Sequence, residues 1–143
     1  MLQQEVKRLH AAEKTVVWTN GCFDILHPGH IATFKKCKEI GDILVVGMNG
    51  KDSSYWKTKP GRPINDEDFR AAMLEAIRFV DIVYVFNDET PAPIVEVIHP
   101  DIVLKGGDYL SPAVSEMIAE KNMQIVHDGM LELTEVYRQM ILG

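Results

Sequence analysis

Trp18-Thr19-Asn20-Gly21-Cys22-Phe23-Asp24-Ile25-Leu26-His27-Pro28-Gly29-His30 is the stretch on which the fold turns. Before it, Thr15-Val16-Val17-Trp18 is short, β-branched and apolar, the composition of a buried strand. After it, Ile31-Ala32-Thr33-Phe34-Lys35-Lys36-Cys37-Lys38-Glu39-Ile40 has the spacing of an amphipathic helix. The stretch is therefore a strand-to-helix turn. Pro28 suits the first helical position, where its missing N–H costs nothing. The turn also carries two glycines and two histidines three residues apart.

The pattern repeats outward from this turn. Strand one covers 15–20, and helix one runs from Pro28 to about Ile40, stopped by Gly41. Ile43-Leu44-Val45-Val46-Gly47-Met48 is a continuous apolar run, as a parallel strand covered on both faces requires. Residues 2–12 fit a short preceding helix through Leu2, Val6 and Leu9. The polar stretch Asn49 to Asn65 is too long for an idle connection and predicts a binding loop. Asp66-Glu67-Asp68 places acids in the first turn of the next helix, whose buried stripe is expected at Phe69, Met73, Ala76, Ile77 and Val80. Ile82 to Phe86 is the third strand. Thr90 caps a helix with Pro91 at its first position, ending at His99-Pro100. Ile102-Val103-Leu104 is the fourth strand and runs into Lys105-Gly106-Gly107-Asp108-Tyr109. Ser111-Pro112 opens a helix to about Lys121, Met123 to Val126 is a fifth strand, and Leu131 to Leu142 is a last helix.

Strands alternating with helices predict an α/β fold: one doubly wound, parallel, five-stranded, Rossmann-like sheet with helices on both faces. Such sheets bind ligands beyond the carboxyl ends of their strands. The loops after strands one, two and four lie there, and they hold the glycines, histidines and lysines.

The 143 residues suit a single domain over 1–143 with one substantial core. A hydrophobic content of 46% and a charged content of 25% are those of a soluble globular chain. No apolar run approaches the roughly 20 residues of a membrane span, and the charged start lacks a secretory apolar stretch. The expectation is a cytoplasmic protein without membrane attachment. Cys22 and Cys37 make neither a disulfide framework nor a zinc spacing. A net charge of −6 argues against nucleic acid as a partner but leaves room for a small phosphorylated ligand.

The turn itself points to phosphate. Gly21 permits close approach of backbone and ligand. Gly29 lies in the first helical turn, where N–H groups are unpaired and the dipole is positive. His27 and His30 can aim at one place and donate to a phosphate oxygen. They could equally be two metal ligands, but no third ligand stands nearby, so no metal site is assigned. Gly-x-Gly-x-x-Gly is absent, which disfavours a dinucleotide-binding turn.

The block Gly21-Cys22-Phe23-Asp24-Ile25-Leu26-His27-Pro28-Gly29-His30 resembles the opening motif of the cytidylyltransferase-like nucleotidyltransferases, a Gly-x-Phe-Asp turn followed by His-x-Gly-His. The resemblance implies that His27 and His30 stabilise the phosphates of a nucleoside triphosphate while its α-phosphorus is attacked. Lys57 matches the family's phosphate-binding lysine, with Lys59 a second candidate. Gly21, Cys22, Phe23, Pro28, Gly29, Asp108 and Thr134 would line the nucleotide, and Asp24 would shape the turn. Pro60-Gly61-Arg62-Pro63-Ile64-Asn65, Arg70, and Lys105-Gly106-Gly107-Asp108-Tyr109 are similar to the adenylyltransferase half of the bacterial heptose enzyme. By that likeness Asn20, Asp24, Arg62, Arg70, Lys105, Gly106, Gly107 and Tyr109 are acceptor-site candidates.

The function so implied is transfer of a nucleotidyl group, adenylyl by preference, from ATP or CTP to a phosphorylated sugar or polyol such as heptose 1-phosphate. Pyrophosphate is released, Mg2+ accompanies the triphosphate, and a homodimer is expected. Within the same fold the alternatives are a glycerol-3-phosphate cytidylyltransferase and an FAD-forming adenylyltransferase. The last helix departs from the family's Ser-Thr-Thr, keeping only Thr134, with Glu132 about where the serine would stand. A carboxylate there would repel a triphosphate, so a further alternative is a nucleotide-binding module of weak turnover.

Overall fold

The computed structural model describes residues 1–106, 112–121 and 123–128. In chain order the elements are α1 (Leu2–Ala11), β1 (Val16–Gly21), α2 (Pro28–Ile40), β2 (Ile43–Asn49), α3 (Glu67–Glu75), β3 (Ile82–Phe86), α4 (Ala92–Ile98), β4 (Ile102–Gly106), α5 (Pro112–Glu120) and β5 (Gln124–Asp128). A 3₁₀ turn, Ser54–Thr58, lies inside the long loop between β2 and α3. The expected last helix, 131–142, falls outside the described residues.

All five strands pair in parallel, in the order β3-β2-β1-β4-β5. The order reverses between β1 and β4, because the chain steps outward through β2 and β3 and then returns past β1. That is the switch point of a doubly wound sheet, and the loops after β1 and β4 diverge there.

Alternation along β1 sorts the core into two layers. Val16 and Trp18 face one side, with α1, α4 and α5 packing there through Val6, Leu9, Val95, Ile98 and Ile118. Val17 faces the other, against Phe34 and Cys37 of α2 and Leu74 of α3. Trp18 is fully buried, and its register neighbours are Val45 and Val103. Its ring fills the space where Gly47 has no side chain: a Cβ there would stand 2.3 Å from Trp18 Cζ2.

The stripe expected on α3 needs correction. Phe69 and Met73 are 51% and 46% exposed and Ala76 is exposed, whereas Arg70 and Leu74 are buried. Ile77 and Val80 do pack on the core, but from the turn after the helix, which ends at Glu75. The helix is rotated by one position because a guanidinium, not a phenyl ring, is what the neighbouring loops require at its inner face. Asp66 caps α3 as its position suggested, its carboxylate accepting from Phe69 N at 2.8 Å. Pro91 precedes the first residue of α4, and Thr90 Oγ1 accepts from Ala92 N at 3.3 Å. Among the described residues, no helix is long and apolar enough to cross a membrane.

A methyl group at position 47 forces Trp18 to move within a filled core. Gly47→Ala is expected to lower stability by about 2–3 kcal/mol, read as a lower urea midpoint with an unchanged slope.

Candidate active site

The turn after β1 is held by contacts within itself. Phe23 takes a left-handed backbone conformation, φ 50°. Its ring folds back over Gly21, where a Cβ would meet Phe23 Cζ at 3.0 Å. This is why glycine precedes the aromatic residue by two. The ring then stands edge-on to His30, centroids 5.4 Å apart, and packs on Phe34.

His27 is the N-cap of α2, and the two histidines cap the helix reciprocally. Gly29 N–H donates to His27 Nδ1 at 3.0 Å, and His27 N–H donates to His30 Nδ1 at 3.2 Å. A nitrogen that accepts from a backbone N–H carries no proton. Each neutral ring therefore bears its proton on Nε2, and each presents one N–H donor. The rings lie 3.9 Å apart, tilted by 30°. Burial lowers the pKa of both, and for His30 burial together with the charge of His27 pushes it down to about 4. Two neutral donors at the positive end of α2 make an anion site that holds no net charge at neutral pH.

The loop between β2 and α3 is fastened to this turn by two side chains. Asp24 accepts from Ile64 N at 2.9 Å, Asn65 N at 2.9 Å and Arg62 Nη1 at 3.1 Å. Asn65 Nδ2 donates back to Asp24 O. Burial would raise the Asp24 carboxyl, but these bonds and the Arg62 charge outweigh it and hold it below the ordinary carboxylate value. Arg70 is 1% exposed. Its Nε donates to Asn65 O at 3.0 Å, and its Nη1 donates to Cys22 O at 3.0 Å and Asn49 O at 2.6 Å. Its guanidinium also stacks on Trp56, which donates to Gly50 O at 2.8 Å. Arg70, read from the sequence as an acceptor contact, donates to three carbonyls from three segments around the site, and Asp24, read both as shaping the turn and as an acceptor contact, accepts from the neighbouring loop.

Two clefts share the wall formed by Cys22 and Tyr55. The larger, about 430 Å³, is lined by Asn20, Gly21, Cys22, Phe23, His30, Asn49, Tyr55, Phe86, Glu89, Pro91 and Lys105. The smaller, about 230 Å³, is lined by Cys22, Asp24, Tyr55, Trp56, Lys59 and Arg62. Six of the sequence candidates thus meet in the larger cleft and four in the smaller. Lys57 is exposed on the 3₁₀ turn and lines neither, and His27 and Pro28 face a shallow apolar surface with Leu26 and Ile31. Gly106 ends β4; Gly107, Asp108, Tyr109 and Thr134 lie outside the described residues. Asn49, Tyr55, Phe86, Glu89 and Pro91 went unassigned in the sequence. The rule that loops at strand carboxyl ends line the site pointed to them only as a group. Burial pushes the Cys22 thiol up to about 11, against the pull of Arg70, so it is no thiolate nucleophile at neutral pH. Among the described residues, no group of three His, Cys, Asp or Glu is placed to hold a metal ion.

Comparison with known proteins gives the family of the chain. The cytidylyltransferase-like family profile matches residues 18–140. The chain belongs to that family. It is thereby a nucleotidyltransferase, and the histidine turn lies within the matched residues. It is 43% identical over 127 residues to the bifunctional protein HldE of Campylobacter fetus subsp. fetus, covering 87% of this chain and 28% of that protein. It is 48% identical over 102 residues to HldE of Campylobacter jejuni subsp. doylei, covering 71% and 22%. The chain thus spans about a quarter of these relatives' length. A crystal structure of the lipopolysaccharide core biosynthesis protein from Thermoplasma volcanium GSS1 superposes with a TM-score of 0.67 at 32% identity, covering 80% of this chain and 95% of that one.

Two outcomes follow from the capped histidines and the buried arginine. The His30 pKa is lower folded than unfolded, so the unfolded chain binds the extra proton. Stability is then lost as pH falls from about 6.5 toward 4. Between pH 7 and 5 this costs about 2 kcal/mol. His30→Asn keeps an acceptor for His27 N–H without titrating, and should lose correspondingly less in urea unfolding at the two pH values. Arg70→Met leaves three carbonyls without their donor and should lower stability by about 3 kcal/mol, measured the same way.

Proposed function

We propose that this chain transfers an adenylyl group from ATP to the phosphate of a heptose 1-phosphate-like sugar, releasing pyrophosphate. The observation that carries the reading is the pair of neutral Nε2–H imidazoles at the N-terminus of α2, of which His30 lines the larger of two clefts that meet at Cys22 and Tyr55. Similarity to HldE and to a lipopolysaccharide core biosynthesis protein supports the sugar phosphate as acceptor.

The chemistry needs no protein nucleophile. An oxygen of the acceptor phosphate, already ionised, attacks the α-phosphorus in line. The bond from the α-phosphorus to its bridging oxygen breaks, and the electron pair leaves on pyrophosphate. Catalysis then consists of holding two anions together and stabilising the charge that moves between them. His27 and His30 donate to the nucleotide's phosphate oxygens without losing a proton. Lys59 and Arg62 supply positive charge to the acceptor side, with Lys57 able to swing in from the 3₁₀ turn. Magnesium accompanying the triphosphate would neutralise charge on its phosphates.

The test is pyrophosphate release over a panel of ATP and CTP with heptose 1-phosphate, mannose 1-phosphate and glycerol 3-phosphate. ATP with heptose 1-phosphate should give the highest kcat/KM, and His30→Ala should lower it by roughly a hundredfold or more. Preference for CTP with glycerol 3-phosphate would overturn the substrate assignment. No release with any pair, alongside measurable ATP binding, would make the chain a binding module instead.

A further inference from the structure

We infer that Glu89 reads the hydroxyl groups of the acceptor sugar, and so sets acceptor specificity. The inference rests on the transfer reading above and adds a residue to which sequence and family likeness assigned nothing.

The larger cleft carries charges of both signs. Lys105, at the end of β4, lines one end, and Glu89, in the loop after β3, lines the other. Three strand spacings separate β3 from β4 in the sheet order, roughly 14 Å. The cationic end lies at the β1–β4 switch point, where doubly wound sheets take their nucleotide, and His30 opens there too. A carboxylate at the far end would repel any phosphate placed beside it. An ionised carboxylate accepts hydrogen bonds and donates none, so the group that suits it is an uncharged donor, a hydroxyl. Asn49 and Tyr55 add donors and acceptors alongside, and Phe86 and Pro91 add flat apolar surface. That combination fits the carbon skeleton and hydroxyls of a sugar.

The chain on either side of Glu89 is fastened. Gly50 N donates to Phe86 O at 2.8 Å, and Asp52 N donates to Asn87 Oδ1 at 3.1 Å. On the other flank, Thr90 Oγ1 accepts from Ala92 N at 3.3 Å. The exposed Glu89 thus sits on backbone between two fastened points, on the β2–β3 side of β1 and away from the switch point. This favours the acceptor's hydroxyls over the nucleotide's ribose.

Calorimetric binding to wild type, Glu89→Gln and Glu89→Ala decides it, with heptose 1-phosphate, methyl phosphate and ATP as separate probes. Glu89→Ala should weaken heptose 1-phosphate by about tenfold or more, the scale of a lost hydrogen bond to a charged group. Glu89→Gln, which keeps one acceptor oxygen, should fall between. Methyl phosphate and ATP should change by less than about twofold. A loss of ATP affinity matching that for the sugar would place Glu89 on the ribose and overturn the inference, as would unchanged sugar binding in Glu89→Ala. Wild type that binds heptose 1-phosphate but releases no pyrophosphate would sink the transfer reading while leaving the hydroxyl-reading role testable by binding.

Discussion

Two backbone N–H groups, those of His27 and Gly29, donate to the Nδ1 atoms of His30 and His27. Much of the site depends on this pair of hydrogen bonds. They satisfy donors that the start of α2 would otherwise leave unpaired. They also dictate where each imidazole carries its proton, because a ring that accepts at Nδ1 must donate at Nε2. Helix capping and phosphate recognition are therefore one arrangement. The residue between the rings must supply an N–H at the right place, which Gly29 does and Pro28 could not. Protonating either ring at Nδ1 would break the cap, so folding itself opposes the cationic form.

The same turn is fixed from outside by opposite charges. Asp24 gathers the N–H groups of Ile64 and Asn65, and Arg70 gathers the carbonyls of Cys22, Asn49 and Asn65. Asn65 is bonded to both. A 17-residue connection, 50–66, would wander if it were tied only at its ends. Here it is pinned beside the histidines, which places Lys59 and Arg62 in a cleft sharing a wall with that of His30. The cost is a buried guanidinium with one nitrogen, Nη2, left without a hydrogen-bond partner. Preorganisation of this kind is what in-line transfer needs, since positioning carries most of its rate.

What the sequence disclosed followed the range of the forces involved. Local signals held: Pro28 at the start of α2, Gly41 at its end, the apolar run of β2, and Asp66 as the cap of α3. The parallel sheet followed from alternation, and the histidine turn from its spacing. The inner face of α3 was misread because periodicity counts Phe69 and Met73 as core, while the buried position belongs to Arg70, whose partners lie 5, 21 and 48 residues away. No local pattern marks a guanidinium as interior. Glu89 and Tyr55 were missed for the same reason: each sits in a polar loop, and only the strand order brings those loops to one cleft.

The central claim is that both imidazoles are neutral Nε2–H donors held by the backbone. Nitrogen-15 NMR of the histidine rings across a pH titration tests it most directly. The structure predicts the Nε2–H tautomer for His27 and His30 at pH 7, with His30 remaining neutral until about pH 4. An Nδ1–H tautomer in either ring, or a His30 midpoint at the ordinary value near 6.5, would contradict it.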